Sequence, residues 1–168
     1  MALTRLNTNA YGTSLNLTSN VTGTLPAPNG GSGRTAVTGN ILQRVNSTVG
    51  MTDIAGTDDY IGAGCTITPS STSSKIQIFV DGYVEQTTGS SGDYTELQMR
   101  EDTTPITTLN NAITYQYTVG ARIPFVINFT RSPGTTSAVQ YRLYNNNISG
   151  TATNRYYQQA WTLMEVAG

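Results

Sequence analysis

Apolar and polar residues alternate with a period of two along much of this chain, and no stretch of about eleven residues or more keeps a period of 3.6. The clearest run is Lys75 to Gln86, where Ile76, Ile78, Val80 and Val84 share one face and Lys75, Gln77, Asp81 and Glu85 the other. That pattern predicts a strand with one solvated side. Phe79 and Tyr83 fall on the polar face, which implies that something other than water covers part of it. Further strands are predicted at 41–49 (ILQRVNSTV), at Cys65 to Thr68 and at Tyr94 to Arg100, with Leu97 and Met99 inward. Others follow at Ile113 to Val119, at Arg122 to Thr130 (Phe125, Ile127 and Phe129 alternating) and at Val139 to Tyr144 (Val139, Tyr141 and Leu143 alternating). Tyr156 to Val166 reads as one closing strand. Between them lie the Gly- and Asp-rich stretch MTDIAGTDDYIGAG, the turns SSTSS and TTGSSGD, and an irregular crossing at 101–112 with Pro105 and a short edge strand around Ile106. Roughly seven to nine short strands with turn signals about every ten residues predict an all-β fold, an antiparallel β-sandwich of jelly-roll type. No crossover helices are available for a parallel α/β sheet.

The first forty residues break this pattern. Apart from Leu3, Leu6, Tyr11, Leu15, Leu17, Val21 and Leu25 they are mostly Asn, Thr, Ser and Gly. Ordering a residue costs about 1–2 kcal/mol, which so little apolar surface does not offset. The expectation is an extended N-terminal arm over residues 1–35, ending in a Pro/Gly bend (GTLPAPNGGSG, 23–33), before a β-sandwich domain over 36–168. Leu3, Leu6, Tyr11, Leu15 and Leu17 would be the anchors by which such an arm lies along a partner protein.

Composition narrows the function. Of 168 residues only 11% are charged, and nine basic residues against ten acidic ones leave a net charge of -1. There is no electrostatic footprint for nucleic acid or for an anionic membrane. Polarity comes instead from 29 Thr, 14 Asn and many Ser, Gln and Gly, which suits a surface of strands and turns. No apolar run is long enough to span a bilayer, and no basic start followed by an apolar stretch marks a secretion signal. Cys65, the only cysteine, has no partner for a disulfide within the chain and reads as a small buried residue at a strand start.

Candidate chemistry is sparse. The chain has no histidine, so the commonest general base and metal ligand are missing, and no Ser/His/Asp triad can form. Lys75, the only lysine, reads as a solvated charge at a strand edge. Asp53, Asp58 and Asp59 share a Gly-rich loop and Glu101-Asp102 closes a strand, but their spacing matches no calcium loop, and Asp is common in turns for its backbone hydrogen bonds. No catalytic, cofactor-binding or metal-ligating residues are assigned. The ten tyrosines are the more informative signal. Tyrosine brings rigid area and one hydroxyl to interfaces, and Phe79, Tyr83, Tyr115, Tyr117, Tyr144 and Tyr156 are the candidates for a protein- or carbohydrate-contacting surface.

Several segments carry a resemblance. TGTLPAPNGGSG resembles the GTLP-x-x-NGG-x-G linker of bacteriophage tail fibres. TITPSSTSSKIQIFVDG, from Thr66, resembles the strand–turn–strand that opens a β-sandwich module of phage and cyanophage virion proteins, and WTLMEVAG resembles its close. The resemblance implies a non-enzymatic virion surface protein without cofactor, generally a homotrimer. A fibre would carry an adaptor and a long shaft before such a tip. A β domain behind a short arm looks more like a capsid cement or decoration protein, its arm on the major capsid protein and its trimeric knob on the outer surface of the particle. The alternative is a tail-fibre or receptor-binding tip that contacts host surface polysaccharide.

Overall fold

The computed structural model describes residues 39–55, 59–90, 94–106, 113–116, 118–147 and 152–168. The arm with Leu3, Leu6, Tyr11, Leu15 and Leu17, and the bend with Pro26 and Pro28, lie outside the described residues, as does Asp58. Strands β1 (Ile41–Val49), β2 (Thr52–Ala55), β3 (Asp59–Tyr60), β4 (Cys65–Ile67), β5 (Lys75–Thr88) and β6 (Tyr94–Glu101) come first. They are followed by β7 (Thr104–Pro105), β8 (Ile113–Gln116), β9 (Arg122–Arg131), β10 (Val139–Asn147), β11 (Thr153–Tyr156) and β12 (Gln159–Val166). Among the described residues no helix is long and apolar enough to cross a membrane.

All pairings are antiparallel and fall into two sheets. In the first, β5 is central: β9 runs along one edge, while β12 and then β11 share the other, with β1 beyond β12 and β2 beyond β11. In the second, β6 pairs with β10 on one side and with β7 and β8 on the other, and β10 carries β3 and β4 on its far edge. The inner faces close on one core. Ile76, Ile78, Val80, Val84, Phe125, Ile127, Trp161 and Leu163 come from the first sheet, and Cys65, Ile67, Leu97, Met99, Val139, Tyr141 and Leu143 from the second. The expected all-β antiparallel sandwich is the observed one, with Cys65 buried as expected. Gly82 lies in the middle of the long strand for a packing reason. A Cβ there would sit 2.8 Å from the Phe125 ring and 3.3 Å from Gln159 Cγ, so its absence makes room for the ring against the strand.

The sheets are fastened at their ends by charge. Arg131, at the end of β9, donates from Nε (2.7 Å) and Nη2 (3.2 Å) to the Glu101 carboxylate at the end of β6, and the Tyr141 hydroxyl donates to the same group at 3.2 Å. A stronger device sits where the chain crosses from β4 to β5. Glu165 of β12 is fully buried. Its Oε1 accepts from Ser70 N (2.7 Å), Ser70 Oγ (2.7 Å) and Ser74 Oγ (2.6 Å), and its Oε2 from Gln43 Nε2 (2.6 Å). Burial is the largest single influence on this carboxyl and pushes its pKa up. The donations from Ser74, Ser70 and Gln43 together overcome it and hold the pKa at about 2.

The structure alters several boundaries. β2 and β3 arise within the stretch read as loop, and the stretch read as one closing strand from Tyr156 is two, β11 and β12, separated by Tyr157 and Gln158.

Glu165 makes stability depend on acid. Its folded pKa lies below the ordinary 4.5, so its contribution is complete above that value and is lost as pH falls from about 4.5 towards about 2. Replacing Glu165 with Gln should cost about 2–4 kcal/mol at neutral pH, since hydrogen bonds to a charged group are among the strong ones, and should flatten this part of the profile. Urea unfolding of both proteins at a series of pH values checks it. A variant that keeps the wild-type acid slope would contradict this role.

Candidate functional site

The outward face of the first sheet is interrupted where β5 passes its pairing from β12 to β11. β12 pairs as far as Asp81 and β11 begins at Val84. Across the gap, Tyr157 N donates to the Tyr83 carbonyl at 2.9 Å. The two residues of the break, Tyr157 and Gln158, fall between the two ladders and form one wall of an open groove of about 480 Å³. Asp81, Tyr83, Arg122 and Ala160 complete its lining.

The groove has a tied side and a free side. On the tied side Arg122 Nε lies 3.0 Å from Glu85 Oε2, its guanidinium stands 4.2 Å from the centre of the Tyr157 ring, and the Tyr157 hydroxyl donates to the same Glu85 oxygen at 2.5 Å. The Tyr157 donation first, and Arg122 second, hold the Glu85 carboxyl below the usual range. On the free side Tyr83 is 52% exposed, beside Asp81, which is exposed at the register position next to it but one. Across β9, Pro124 stands opposite Tyr83 and the exposed Val126 opposite Asp81. An aromatic plane flanked by a carboxylate and an amide is equipped to bind, by stacking and hydrogen bonding. It is poorly equipped for acid–base work. Asp81 and Glu85 are four residues apart on one strand, about 13 Å, beyond the roughly 5–9.5 Å of paired glycosidase carboxylates.

The structure separates the candidate aromatics. Phe79 and Tyr83 share the outer face of the first sheet, as alternation requires. Tyr144 lies on the outer face of the second sheet, against Arg100. Tyr117, and the side chain of Tyr115, lie outside the described residues. Tyr156 is a correction: it is fully buried and its hydroxyl donates to Asn145 Oδ1, so it contributes to the core and to no surface. One continuous strand would put Tyr156 on the side of Ala160 and Thr162. The two-residue break inverts that phase and turns Tyr156 in with Asn154. The groove aromatic is its neighbour Tyr157. The sequence marks Tyr157 only as one of the tyrosines clustered in the second half of the chain, and gives no sign of Arg122 or Gln158; the one further signal is the Tyr-Tyr-Gln-Gln run, where consecutive polar-tipped residues interrupt the alternation.

The acidic residues singled out in the sequence, Asp58 aside, have structural partners. Asp53 is held by Arg155 through Nε–Oδ1 (2.7 Å) and Nη2–Oδ2 (2.8 Å), Asp59 Oδ1 accepts from Tyr60 N at 2.6 Å, and Asp102 Oδ1 accepts from Gln140 N at 2.9 Å. Among the described residues no group of three or more His, Cys, Asp and Glu could hold a metal ion.

Replacing Tyr157 with Phe should raise the Glu85 pKa towards the ordinary carboxylate value while leaving the fold intact, because the lost hydroxyl is its leading stabiliser. A carboxyl-detected NMR titration measures this, and an unchanged Glu85 midpoint would show that the hydroxyl does not set it.

No family model matches the sequence, and no curated protein matches it. Among solved structures the chain is similar to the VP2 subviral particle of infectious bursal disease virus, with a TM-score of 0.43, 12% identity, and coverage of 76% of this chain and 34% of that one. It is also similar to the structure of the Gt strain of that virus, with a TM-score of 0.40, 8% identity, and coverage of 76% and 39%. The chain spans little more than a third of the length of these structures.

Proposed function

We propose that this chain is a non-enzymatic virion structural protein: a capsid cement or decoration protein in which residues 1–35 form an arm on the major capsid protein and residues 36–168 a trimeric β knob on the outer surface. The observation that supports it most is the joint at Glu165. The two segments that resemble the phage virion module are the Ser/Thr turn before β5 and the closing WTLMEV strand, and Glu165 of the second accepts hydrogen bonds from Ser70 and Ser74 of the first, 95 and 91 residues away in sequence. The paired motifs are therefore one folded unit, which favours a shared module over two chance strings. The groove, with Glu85 tied to Arg122 and Tyr157, is built for contact and not for turnover.

A second reading rests on the free side of that groove. Exposed Tyr83 beside Asp81 and Gln158 would suit the C–H face and hydroxyls of a neutral sugar, as a receptor-binding tip that meets host polysaccharide requires.

Particles depleted of this protein separate the two. On the cement reading they release genome at lower temperature yet still adsorb to cells, because binding to the assembled shell stabilises it by mass action. Restoring full-length protein should recover heat resistance, and protein lacking residues 1–22 should not. Unchanged heat release together with lost adsorption would overturn the cement reading in favour of the tip.

A further inference from the structure

The outer face of the second sheet holds a charge pattern that the fold does not need. Leu97, Met99, Tyr141 and Leu143 point into the core, so Arg100 of β6 and Arg142 of β10 point out, and the register sets them directly opposite each other. Like charges in that position are destabilising. The arginines are steadied by aromatic faces. Arg100 Cζ stands 3.4 Å from the centre of the Tyr144 ring and Arg142 Cζ 3.8 Å from that of Tyr60, while the two rings meet edge to face at 5.1 Å. Arg100 Nε donates to Gln98 Oε1 at 2.7 Å, Arg100 Nη1 to the Tyr60 hydroxyl at 3.4 Å, and Arg142 Nη2 to the Asp102 carbonyl at 3.0 Å.

All of these acceptors are neutral. The three ion pairs among the described residues use Arg122, Arg131 and Arg155. The nearby acids are committed elsewhere: Asp59 to Tyr60 N, Glu101 to Arg131, and Asp102 to Gln140 N. Glu96, on the same face, is buried with its Oε2 unpartnered; it is four residues from Arg100 along the strand, about 13 Å between Cα positions. Arg142 Nε is shielded from solvent, so a carboxylate arriving from solvent would meet the Nη groups of this guanidinium.

The geometry points to an anion-docking surface: Arg100 and Arg142 form a paired fork for carboxylate side chains of an acidic protein segment. Guanidinium groups take carboxylates through two parallel hydrogen bonds, and one carboxylate between opposed arginines would relieve their repulsion. Protein carboxylates are favoured over an acidic polysaccharide because the Tyr60 and Tyr144 faces are already covered by the arginines, which leaves no plane for a sugar ring. The inference does not depend on the virion reading, since the surface lies on the opposite sheet from the groove.

Titration calorimetry of the full chain with hexaglutamate, at low and high salt, tests it. Binding should weaken with salt and fall about tenfold in Arg142→Gln. Arg142→Lys, which keeps the charge and loses the fork, should also bind less tightly, and serves if the glutamine variant fails to fold. No binding by the wild type, equal binding by a folded variant, or tighter binding of polygalacturonate than of hexaglutamate would overturn the assignment.

Discussion

A full negative charge buried beneath the β4–β5 crossing is the constraint on which the rest of this sandwich depends. Removing a carboxylate from water is tolerable only when donors replace its hydration, and Glu165 recruits them from separate parts of the chain: Gln43 of β1, and the backbone and hydroxyls of the Ser70–Ser74 turn. Because β12 is flanked by β1 and β5, a slip of one residue in either pairing would move the carboxylate away from its donors. Gln43 also donates to the Thr68 carbonyl at 2.6 Å, which fixes the last residues before the turn. One side chain thereby sets the register of three strands and the point at which the chain passes from one sheet to the other. It also explains why a hydroxyl-rich turn stands there, where an apolar one would leave the charge bare.

How much of this was legible in the sequence depended on whether polar residues faced water. The strand at Ile41–Val49 was readable to its ends, and β5 showed its two faces because Ile76, Ile78, Val80 and Val84 mark one of them. The reading failed where polar side chains point inward. Asn154, Gln159 and Glu165 are all buried, so the alternation that should have divided β11 from β12 was disguised, and the change of phase at Tyr157–Gln158 was invisible. β2 and β3 were hidden for a different reason. Short strands at a sheet edge bury few residues and tolerate Asp and Gly, so Ile54 alone carried the signal of the first. The groove was legible only through Tyr83, because its other members come together by a defect in the ladder that no periodicity encodes.

The two outer faces carry different chemistry on one scaffold. On the first sheet two arginines are paired with acids, Arg122 with Glu85 and Arg155 with Asp53, and aromatic and aliphatic area is exposed at Tyr83 and Val126. On the second, the arginines are stacked on tyrosines and their charge is left standing. The low overall charge of the chain hides this division, since a net value near zero says nothing of where each sign is displayed.

The break between β11 and β12 has one more consequence. Tyr157 and Gln158 fall between two ladders on β5, bridged by the one bond from Tyr157 N to the Tyr83 carbonyl. The register of β11 on β5 and that of β12 on β5 are set on either side of this position. Variation of side chain there would reshape the groove wall while the framework around it stayed fixed, so among descendants of a common sandwich the capacity to acquire a new binding preference would concentrate at a single peptide junction.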